Sequence, residues 1–458
     1  MRNTGQYILS QQDRYQAILF DFLRIPSVSA DLKYKKNVED AANWLQTLLS
    51  ESGFQAETIT TKGNPLVFAE TPPVPGGKTI LVYGHYDVQP ADPLDLWKTP
   101  PFEPTVRHGN VYARGATDDK GQFMTHLFAA EAYLKHANPP KVQIKFLFEG
   151  EEESIGSVSL NEFLKSEANR KKISCDCVIV SDSSMFGEDQ PAITYGLRGI
   201  MAFELFLEGS NRDLHSGDFG GTVLNPAIAL TKMLAGLVDE NGKILIPHLY
   251  DDVCEITNLE KEELRKLPFN EQEFFRKIGL DEGFGEEGFT TLQRRWCRPT
   301  FDINGITSGY QGEGSKTIIP SQASAKFTFR LVPNQNPEKI KKNIEDRLIE
   351  LLPEGVQMRL RYEHGAPGML SPLESPYIQK AAEALQKVFA LPPVFTRQGG
   401  SIPIVAELRE RLHAEVLLLG WGQDDDNLHA PNEKFSLLNF QRGTLASAWL
   451  MHLLGDDK

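Results

Sequence analysis

The stretch from Thr79 to Pro90 constrains the fold more than any other part of the chain. Residues 80–82 form a short apolar run of the kind that makes a buried strand, and the stretch continues into His85 and Asp87. Open α/β sheets bind ligands at the carboxyl ends of their strands, where this pattern predicts His85. His85 and Asp87 are expected to share a face, and a carboxylate beside an imidazole fixes its tautomer. A core histidine at a strand end is the competing interpretation.

Apolar runs alternate with amphipathic stretches along much of the chain. Strands are predicted at 66–69, 79–83, 142–148 and 177–180. Helices are predicted at 13–23, 38–49, 123–133 and 437–454. Strands that alternate with helices indicate an α/β fold with a mostly parallel sheet covered on both faces.

The pattern changes between residues 198 and 368. The stretches 324–331 and 356–362 alternate polar and apolar residues, which is typical of antiparallel strands with one solvated face. Residues 250–300 are rich in charge and phenylalanine without strong periodicity, so we expect an irregular insertion there. The sequence predicts an inserted α+β domain, 198–368, between the two parts of a larger domain, 1–197 and 369–458.

Composition narrows the possible partners. The 458 residues carry a formal net charge of −14, which argues against nucleic acid or an anionic membrane surface as the main partner. No apolar run approaches the roughly 20 residues of a membrane span. The N-terminus lacks a signal-peptide pattern. The four cysteines form no C-x-x-C pair, so we expect reduced thiols in a cytoplasmic protein.

Acidic residues and histidines recur at strand ends and in adjoining loops, at His85, Asp118, Glu152–Glu153, Asp182 and His429. A single acidic residue in a loop is more often a solvated charge than a ligand. As a set, imidazoles and carboxylates suit Zn²⁺ or Mn²⁺. A bridging carboxylate holds two metals about 3.5–4 Å apart in two-metal hydrolases. One further carboxylate is needed as general base, and the pair Glu152–Glu153 can supply one of each role.

Six blocks together resemble the M20 metallopeptidase family, and especially its carnosinase-like dipeptidase branch: GHYDVQP, RGATDDKG, EGEEESIGS, SDSS, DLHSGDFGG and LHAPNEK. They follow the family's order over nearly the whole chain. The resemblance implies a zinc-peptidase-like three-layer α/β/α catalytic domain with a mostly parallel sheet. It also implies that the inserted domain is a lid and dimerisation domain of a homodimer.

The resemblance also implies roles for the polar residues. His85 and Asp182 would bind one metal, Glu153 and His429 the second, and Asp118 would bridge both. Asp87 would orient His85, and Glu152 would be the general base. An acidic block aligned one residue earlier would give that role to Glu151. The two ions are expected to be Zn²⁺, with Mn²⁺ and Co²⁺ as alternatives, and the peptide bond after Asp118 is expected to be cis.

The resemblance also implies that further residues bind the substrate. His215 would reach the active site of the other subunit and stabilise the oxyanion of the tetrahedral intermediate. Arg330 would grip the substrate carboxylate; a surface arginine on a solvated strand face is its alternative. The remaining positions are Thr317, His364, Gly400 and Ser401.

The expected activity is hydrolysis of a peptide bond in dipeptides or short peptides by a metal-bound hydroxide. The alternative is an N-acyl-amino-acid amidohydrolase, a deacylase or carbamoylase, on the same fold. A non-enzymatic binding protein of this fold predicts loss of a ligand or of the base, and the sequence keeps them all.

Overall fold

The computed structural model describes residues 1–135 and 141–456, and the chain divides into two compact units. The first unit contains Met1–Tyr195, Ser371–Thr396 and Glu407–Lys458. The second contains Gly196–Leu370 and Arg397–Ala406. The predicted junctions near 197 and 368 lie within a few residues of these limits. Residues 397–406, expected in the larger domain, group instead with the second unit.

The elements are numbered in chain order. The strands are β1 (Gln55–Ile59), β2 (Leu66–Glu70), β3 (Lys78–His85), β4 (Thr105–Arg107), β5 (Asn110–Tyr112), β6 (Val142–Glu149), β7 (Cys177–Val180), β8 (Ala192–Leu197), β9 (Gly199–Glu208), β10 (Leu214–His215), β11 (Thr300–Ser308), β12 (Ile318–Ile319), β13 (Gln322–Leu331), β14 (Gln357–Ala366), β15 (Met369–Leu370), β16 (Val394–Gln398), β17 (Glu415–Leu419) and β18 (Lys434–Ser436). The helices are α1 (Arg2–Ser10), α2 (Gln12–Leu23), α3 (Lys35–Glu51), α4 (Lys120–Lys135), α5 (Glu152–Ile155), α6 (Val158–Lys165), α7 (Glu167–Lys172), α8 (Ser216–Phe219), α9 (Pro226–Ala235), α10 (Asn258–Lys266), α11 (Glu271–Lys277), α12 (Thr291–Cys297), α13 (Pro337–Leu351), α14 (Pro376–Gln386), α15 (Pro403–Leu412) and α16 (Leu437–Gly455). Short 3₁₀ turns occupy Leu32–Tyr34 and Leu94–Leu96.

The first unit is built on a mixed sheet whose centre is parallel. Its strand order is β1-β2-β6-β3-β7-β17-β8, with β16 beside β8. The strands from β6 to β17 in this order run parallel, and the pairs on either side run antiparallel. Every residue of β6 and β7 is buried. Because successive strand residues face opposite sides, both faces of the sheet are covered. The predicted α/β fold with a mostly parallel central sheet is confirmed.

A small three-stranded sheet in the same unit joins distant parts of the chain. Its order is β18-β5-β4, and both pairs are antiparallel. Lys434 of β18 pairs with Tyr112 of β5. The beginning of the loop after β5 therefore lies beside the end of the loop before β18.

The second unit has a four-stranded antiparallel sheet, in the order β11-β13-β9-β14. Buried and more exposed residues alternate along β13, as its sequence pattern predicts. The buried side chains, such as Phe203 and Phe327, form one core with α9 and α13. One face of this sheet is therefore apolar and covered by helices.

The expectation of an irregular insertion at 250–300 was wrong, because α10, α11 and α12 lie there. These helices are only nine, seven and seven residues long, too short to show a clear apolar periodicity. Their beginnings are better marked. Thr257 and Thr290 each form a capping box with the residue three positions on.

Across the described residues, no helix combines the length and apolar character that a bilayer crossing requires. All four cysteines are free thiols.

Candidate metal centre

Parallel strands of the first unit carry the predicted site residues to one edge of the sheet. His85 is the last residue of β3 and pairs in register with Glu149, the last residue of β6. Glu152 and Glu153 begin α5 just beyond β6, and Asp182 lies just beyond β7. The sheet thus gathers side chains from three sequence blocks, because the carboxyl ends of parallel strands meet at one edge.

Two loops supply the remaining predicted ligands. Asp118 precedes α4, and His429 lies in the loop between β17 and β18. Nε2 of His429 lies 2.9 Å from Oδ2 of Asp118 and 3.4 Å from Oε2 of Glu153. The peptide bond between Asp118 and Asp119 is cis, as the resemblance implied.

The five side chains form two groups that share one carboxylate. The first group is His85, Asp118 and Asp182, and the second is Asp118, Glu153 and His429. In each group, one ligand atom from every residue lies within 4.8 Å of the others. Imidazole nitrogens and carboxylate oxygens at this spacing are the donors that Zn²⁺ and similar divalent ions take.

Two buried atoms in these groups lack a hydrogen bond among the described residues. They are Nε2 of His85 and Oε1 of Glu153. The His85 atom lies 3.1 Å from Oδ1 of Asp118, but the pair does not form a hydrogen bond. Leaving a buried polar atom unpaired costs about 1–3 kcal/mol. The lone pairs of both atoms are available to a cation, so the residues fit divalent metal ions.

The electrostatics of the cluster also fit cations. Burial first, and then neighbouring carboxylates, raise the pKa of Glu152 and Glu153 above their ordinary value and that of Asp182 to about 7. Burial also acts to raise the pKa of Asp118, but the histidine rings of His429 and His85 outweigh it and hold that pKa below its usual range. Concentrated negative charge of this kind is destabilising unless positive charge offsets it.

Asp87 contacts both histidine and backbone. Nδ1 of His85 lies 3.1 Å from the backbone carbonyl of Asp87 and 3.5 Å from its Oδ1. The other carboxylate oxygen accepts hydrogen bonds from Ser29 Oγ at 2.5 Å and from the backbone N–H of Glu153 at 3.0 Å. Asp87 therefore touches the ring of one candidate ligand and the main chain of another.

The two candidate base positions differ in what they contact. The carboxylate of Glu151 accepts hydrogen bonds from the backbone N–H groups of Asn64, at 2.7 Å, and Ser159, at 2.8 Å. Burial raises the pKa of Glu152, and the charges of His85, which lowers it, and Asp182, which raises it, act on the same carboxyl. Glu151 is thus occupied in holding two backbone segments.

His215, Thr317 and His364 belong to the second unit, whereas the five candidate ligands belong to the first. His215 ends β10 and its Nδ1 accepts the backbone N–H of Gly217 at 3.0 Å. The carbonyl of Thr317 accepts the backbone N–H of Ser216 at 3.1 Å, so Thr317 lies beside the His215 segment. His364 lies on β14 opposite Ala202.

Arg330 and the turn carrying Gly400 and Ser401 come together within the second unit. Nη1 of Arg330 donates to Ser401 Oγ at 3.1 Å, and that hydroxyl donates to the carbonyl of Arg198 at 2.5 Å. Nε of Arg198 donates to the carbonyl of Gly399 at 3.0 Å. Two guanidinium groups thus flank one turn, and burial followed by the charge of Arg330 lowers the pKa of Arg198 to about 10.

Sequence reasoning did not single out Gln89 and Arg198, which contact residues that it did single out. Nε2 of Gln89 donates to Oε2 of Glu153 at 2.7 Å and to its carbonyl at 3.2 Å. The signal for Gln89 was its place in the block GHYDVQP. Arg198 stands in Gly196–Gly199, where the sequence showed only a change of pattern.

Comparisons with known proteins identify the family of the chain. The model of Peptidase family M20/M25/M40 matches residues 81–451. The chain is 33% identical to a Cys-Gly metallodipeptidase of Schizosaccharomyces pombe, over 98% of this chain and 97% of that protein. It is 33% identical to the human Beta-Ala-His dipeptidase, over 83% of this chain and 75% of that protein.

A solved structure is similar over most of the chain. The M20 family metallo-carboxypeptidase from Sulfolobus solfataricus gives a TM-score of 0.85 at 33% identity and covers 96% of this chain and 99% of that one. The family model spans more than half of the chain, and the relatives are more than 30% identical over most of it. The chain therefore belongs to peptidase family M20/M25/M40.

Proposed function

We propose that this chain is a dipeptidase that works with two divalent metal ions. The observation that carries the proposal is the pair of three-residue groups that share Asp118. Relatives that are 33% identical are named as dipeptidases, one for Cys-Gly and one for Beta-Ala-His. A dipeptide with a free carboxylate is therefore the substrate class we assign.

Each of the two three-residue groups is proposed to bind one ion. His85 and Asp182 would hold one ion, Glu153 and His429 would hold the other, and Asp118 would contribute to both. Zn²⁺ suits this mixed set of nitrogen and oxygen donors, while Mn²⁺ and Co²⁺ tolerate the same ligands. When bound, such ions lower the pKa of water and polarise a carbonyl group.

Glu152 is the proposed general base. It accepts a proton from the attacking water and passes that proton to the leaving amine. A raised pKa favours this role, because the group must both take up and release a proton near neutral pH. Asp87 holds the ring of His85 and the backbone of Glu153 while the reaction proceeds.

Residues of the second unit are proposed to bind the substrate. Arg330 would hold the substrate carboxylate together with Ser401 and Gly400, because a guanidinium grips a carboxylate through two parallel hydrogen bonds. Among the described residues its guanidinium donates one side-chain hydrogen bond, to a neutral hydroxyl, so its other N–H groups are available to a carboxylate. His364 and Thr317 would add substrate contacts. His215 would stabilise the oxyanion, supplied by the partner subunit of a homodimer.

The proposed homodimer forms through the second unit. β11 is an edge strand of its sheet and exposes Ile303 by 45% and Ile306 by 51%. Edge strands with exposed apolar residues pair readily with another chain. We assign this edge to the partner copy.

The cytoplasm is the compartment we propose. All four cysteines are free thiols, which suits a reducing environment.

The experiment that tests the function compares substrate classes before and after metal depletion. Purified protein is dialysed against a chelator, and Zn²⁺, Mn²⁺ or Co²⁺ is then restored. We expect restored turnover of Cys-Gly, β-Ala-His and Ala-Ala, weaker turnover of Ala-Ala amide and none of N-acetylalanine. Asp118→Asn is the control that removes the negative charge of the shared ligand. Turnover confined to N-acetyl amino acids would favour the amidohydrolase instead.

A further inference from the structure

Glu433 is a buried carboxylate that binds a loop distant in sequence. Its side chain is 0% exposed. One oxygen, Oε2, accepts Nη1 of Arg114 at 2.7 Å and the backbone N–H of Gly115 at 2.9 Å. The other, Oε1, accepts the backbone N–H groups of Thr117 at 2.9 Å and Asp118 at 3.1 Å. Four N–H donors on two oxygens use the acceptor capacity of a carboxylate.

The loop held by Glu433 ends at the carboxylate shared by both candidate metal groups. The hydrogen bond to the backbone N–H of Asp118 is a direct link to that residue. Glu433 itself follows His429 in the loop before β18. One side chain therefore connects the loop of Asp118 to the loop of His429.

Arg114 reinforces the same connection. It is 1% exposed, and Nη2 donates to the carbonyl of Ala430 at 3.3 Å and to that of Pro90 at 3.2 Å. It thus reaches the main chain next to His429 while it pairs with Glu433. The guanidinium also supplies the positive charge that a buried carboxylate needs.

The consequence is a fixed distance between two candidate ligands. Nε2 of His429 lies 2.9 Å from Oδ2 of Asp118, although the two residues are 311 positions apart. Residues around a metal that orient its ligands typically change affinity or activity 10- to 100-fold when they are removed. A ligand pair held in place by the fold loses less conformational entropy when it binds an ion.

We propose that Glu433 is a positioning residue of the metal centre: it fixes the Asp118 loop against the His429 loop so that both side chains are ready to bind ions. The inference rests on the proposed metal centre. It predicts that substitution of Glu433 lowers the affinity for Zn²⁺ by more than the accompanying loss of fold stability explains.

The test substitutes Glu433→Gln and compares it with Glu131→Gln. The amide keeps the size of the side chain, but its NH₂ group must face two N–H donors in either orientation. Glu131 is a matched control, since it is a 1% exposed acid of the same unit that pairs with Arg14 and Lys135 away from the candidate ligands. Zn²⁺ affinity is measured by competition with a chromogenic chelator, and the fold of the metal-free protein by circular dichroism and thermal melting.

We expect E433Q to fold without metal and to bind Zn²⁺ at least tenfold more weakly than the wild type. E131Q should lose a similar amount of thermal stability with unchanged affinity. Glu433→Asp, which keeps the charge on a shorter side chain, should fall between the wild type and E433Q. A folded E433Q with wild-type affinity would overturn the inference. If E433Q does not fold, E433D decides in the same way, and loss of fold in both variants would assign Glu433 a purely structural role.

A wild-type protein that binds no metal would instead refute the metal centre itself. The two failures are therefore distinguishable in one titration series.

Discussion

At the scale of single residues, the side chains proposed to carry chemistry are those that strand ends and motif blocks already marked. His85, Asp182 and Glu153 stand at or just after apolar runs, so their placement follows from the sequence. The contacts that orient them do not. The hydrogen bond of Gln89 to Glu153, and those of Glu433 to the Asp118 loop, depend on how distant segments pack. No local pattern encodes that packing.

Glu152→Gln should abolish turnover while metal stays bound. The amide cannot take a proton from water, and general base catalysis contributes roughly 10²–10⁴-fold to rate. The measurement is kcat on a dipeptide together with metal content of the same sample. Glu151→Gln is the control, because Glu151 holds the backbone of Asn64 and Ser159, and it should lose stability but keep most activity. The reverse pattern would transfer the base to Glu151.

His126 makes the first unit sensitive to acid. It is 0% exposed, its Nε2 contacts Ser181 Oγ at 2.7 Å, and burial lowers its pKa from 6.5 to about 3. Between these values the unfolded chain binds a proton that the folded chain does not. The part of the free energy of unfolding that comes from the neutral histidine is therefore fully present above pH 6.5. It falls by about 1.4 kcal/mol for each pH unit as the pH drops from 6.5 towards 3.

The variant His126→Gln removes this titration. Calorimetry at pH 5 in buffers of different ionisation enthalpy counts the protons taken up on unfolding. We expect the variant to take up about one proton fewer than the wild type. Equal proton uptake in the two proteins would show that His126 does not stay neutral in the fold.

At the scale of elements, the second unit divides its sheet into a covered centre and an exposed edge. α9 packs against β13 and β9, and α13 packs against β14. The strands predicted from alternation, β13 and β14, are confirmed, whereas β11 was not predicted. Its residues are largely exposed on both faces, so its sequence shows no period of two.

Replacing Ile303 and Ile306 with lysine should convert a dimer into monomers. Charged residues on an edge strand oppose pairing with a second copy. Sedimentation velocity measures the change, and Ile349→Lys on α13, 59% exposed, is the matched control that should remain dimeric. Dimers that persist in the double variant would place the interface elsewhere.

At the scale of the whole molecule, the sequence predicts that one unit is inserted into a larger one. It is less informative about the residues at which the two units begin and end. The change from alternating strands and helices to period-two strands marks the insertion near residue 198. Residues 397–406 could not be assigned in this way. Their place in the second unit comes from tertiary contacts, such as the hydrogen bond between Arg330 and Ser401.

The short helices at 258–297 were missed for a related reason. Each buries few side chains of its own, and the signals that define it are caps such as Thr257 and Thr290. A capping box shows where a helix begins, but a seven-residue helix offers too few positions for its periodicity to be read.

The most direct test of the two-metal centre is a titration of metal-depleted protein with Zn²⁺, in which bound metal and dipeptide turnover are measured on the same samples. The shared carboxylate of Asp118 predicts saturation at two ions per chain, with turnover returning as the sites fill. Asp118→Asn should weaken both sites and abolish turnover. Saturation at one ion per chain in the wild type, or turnover that persists without metal, would contradict the account.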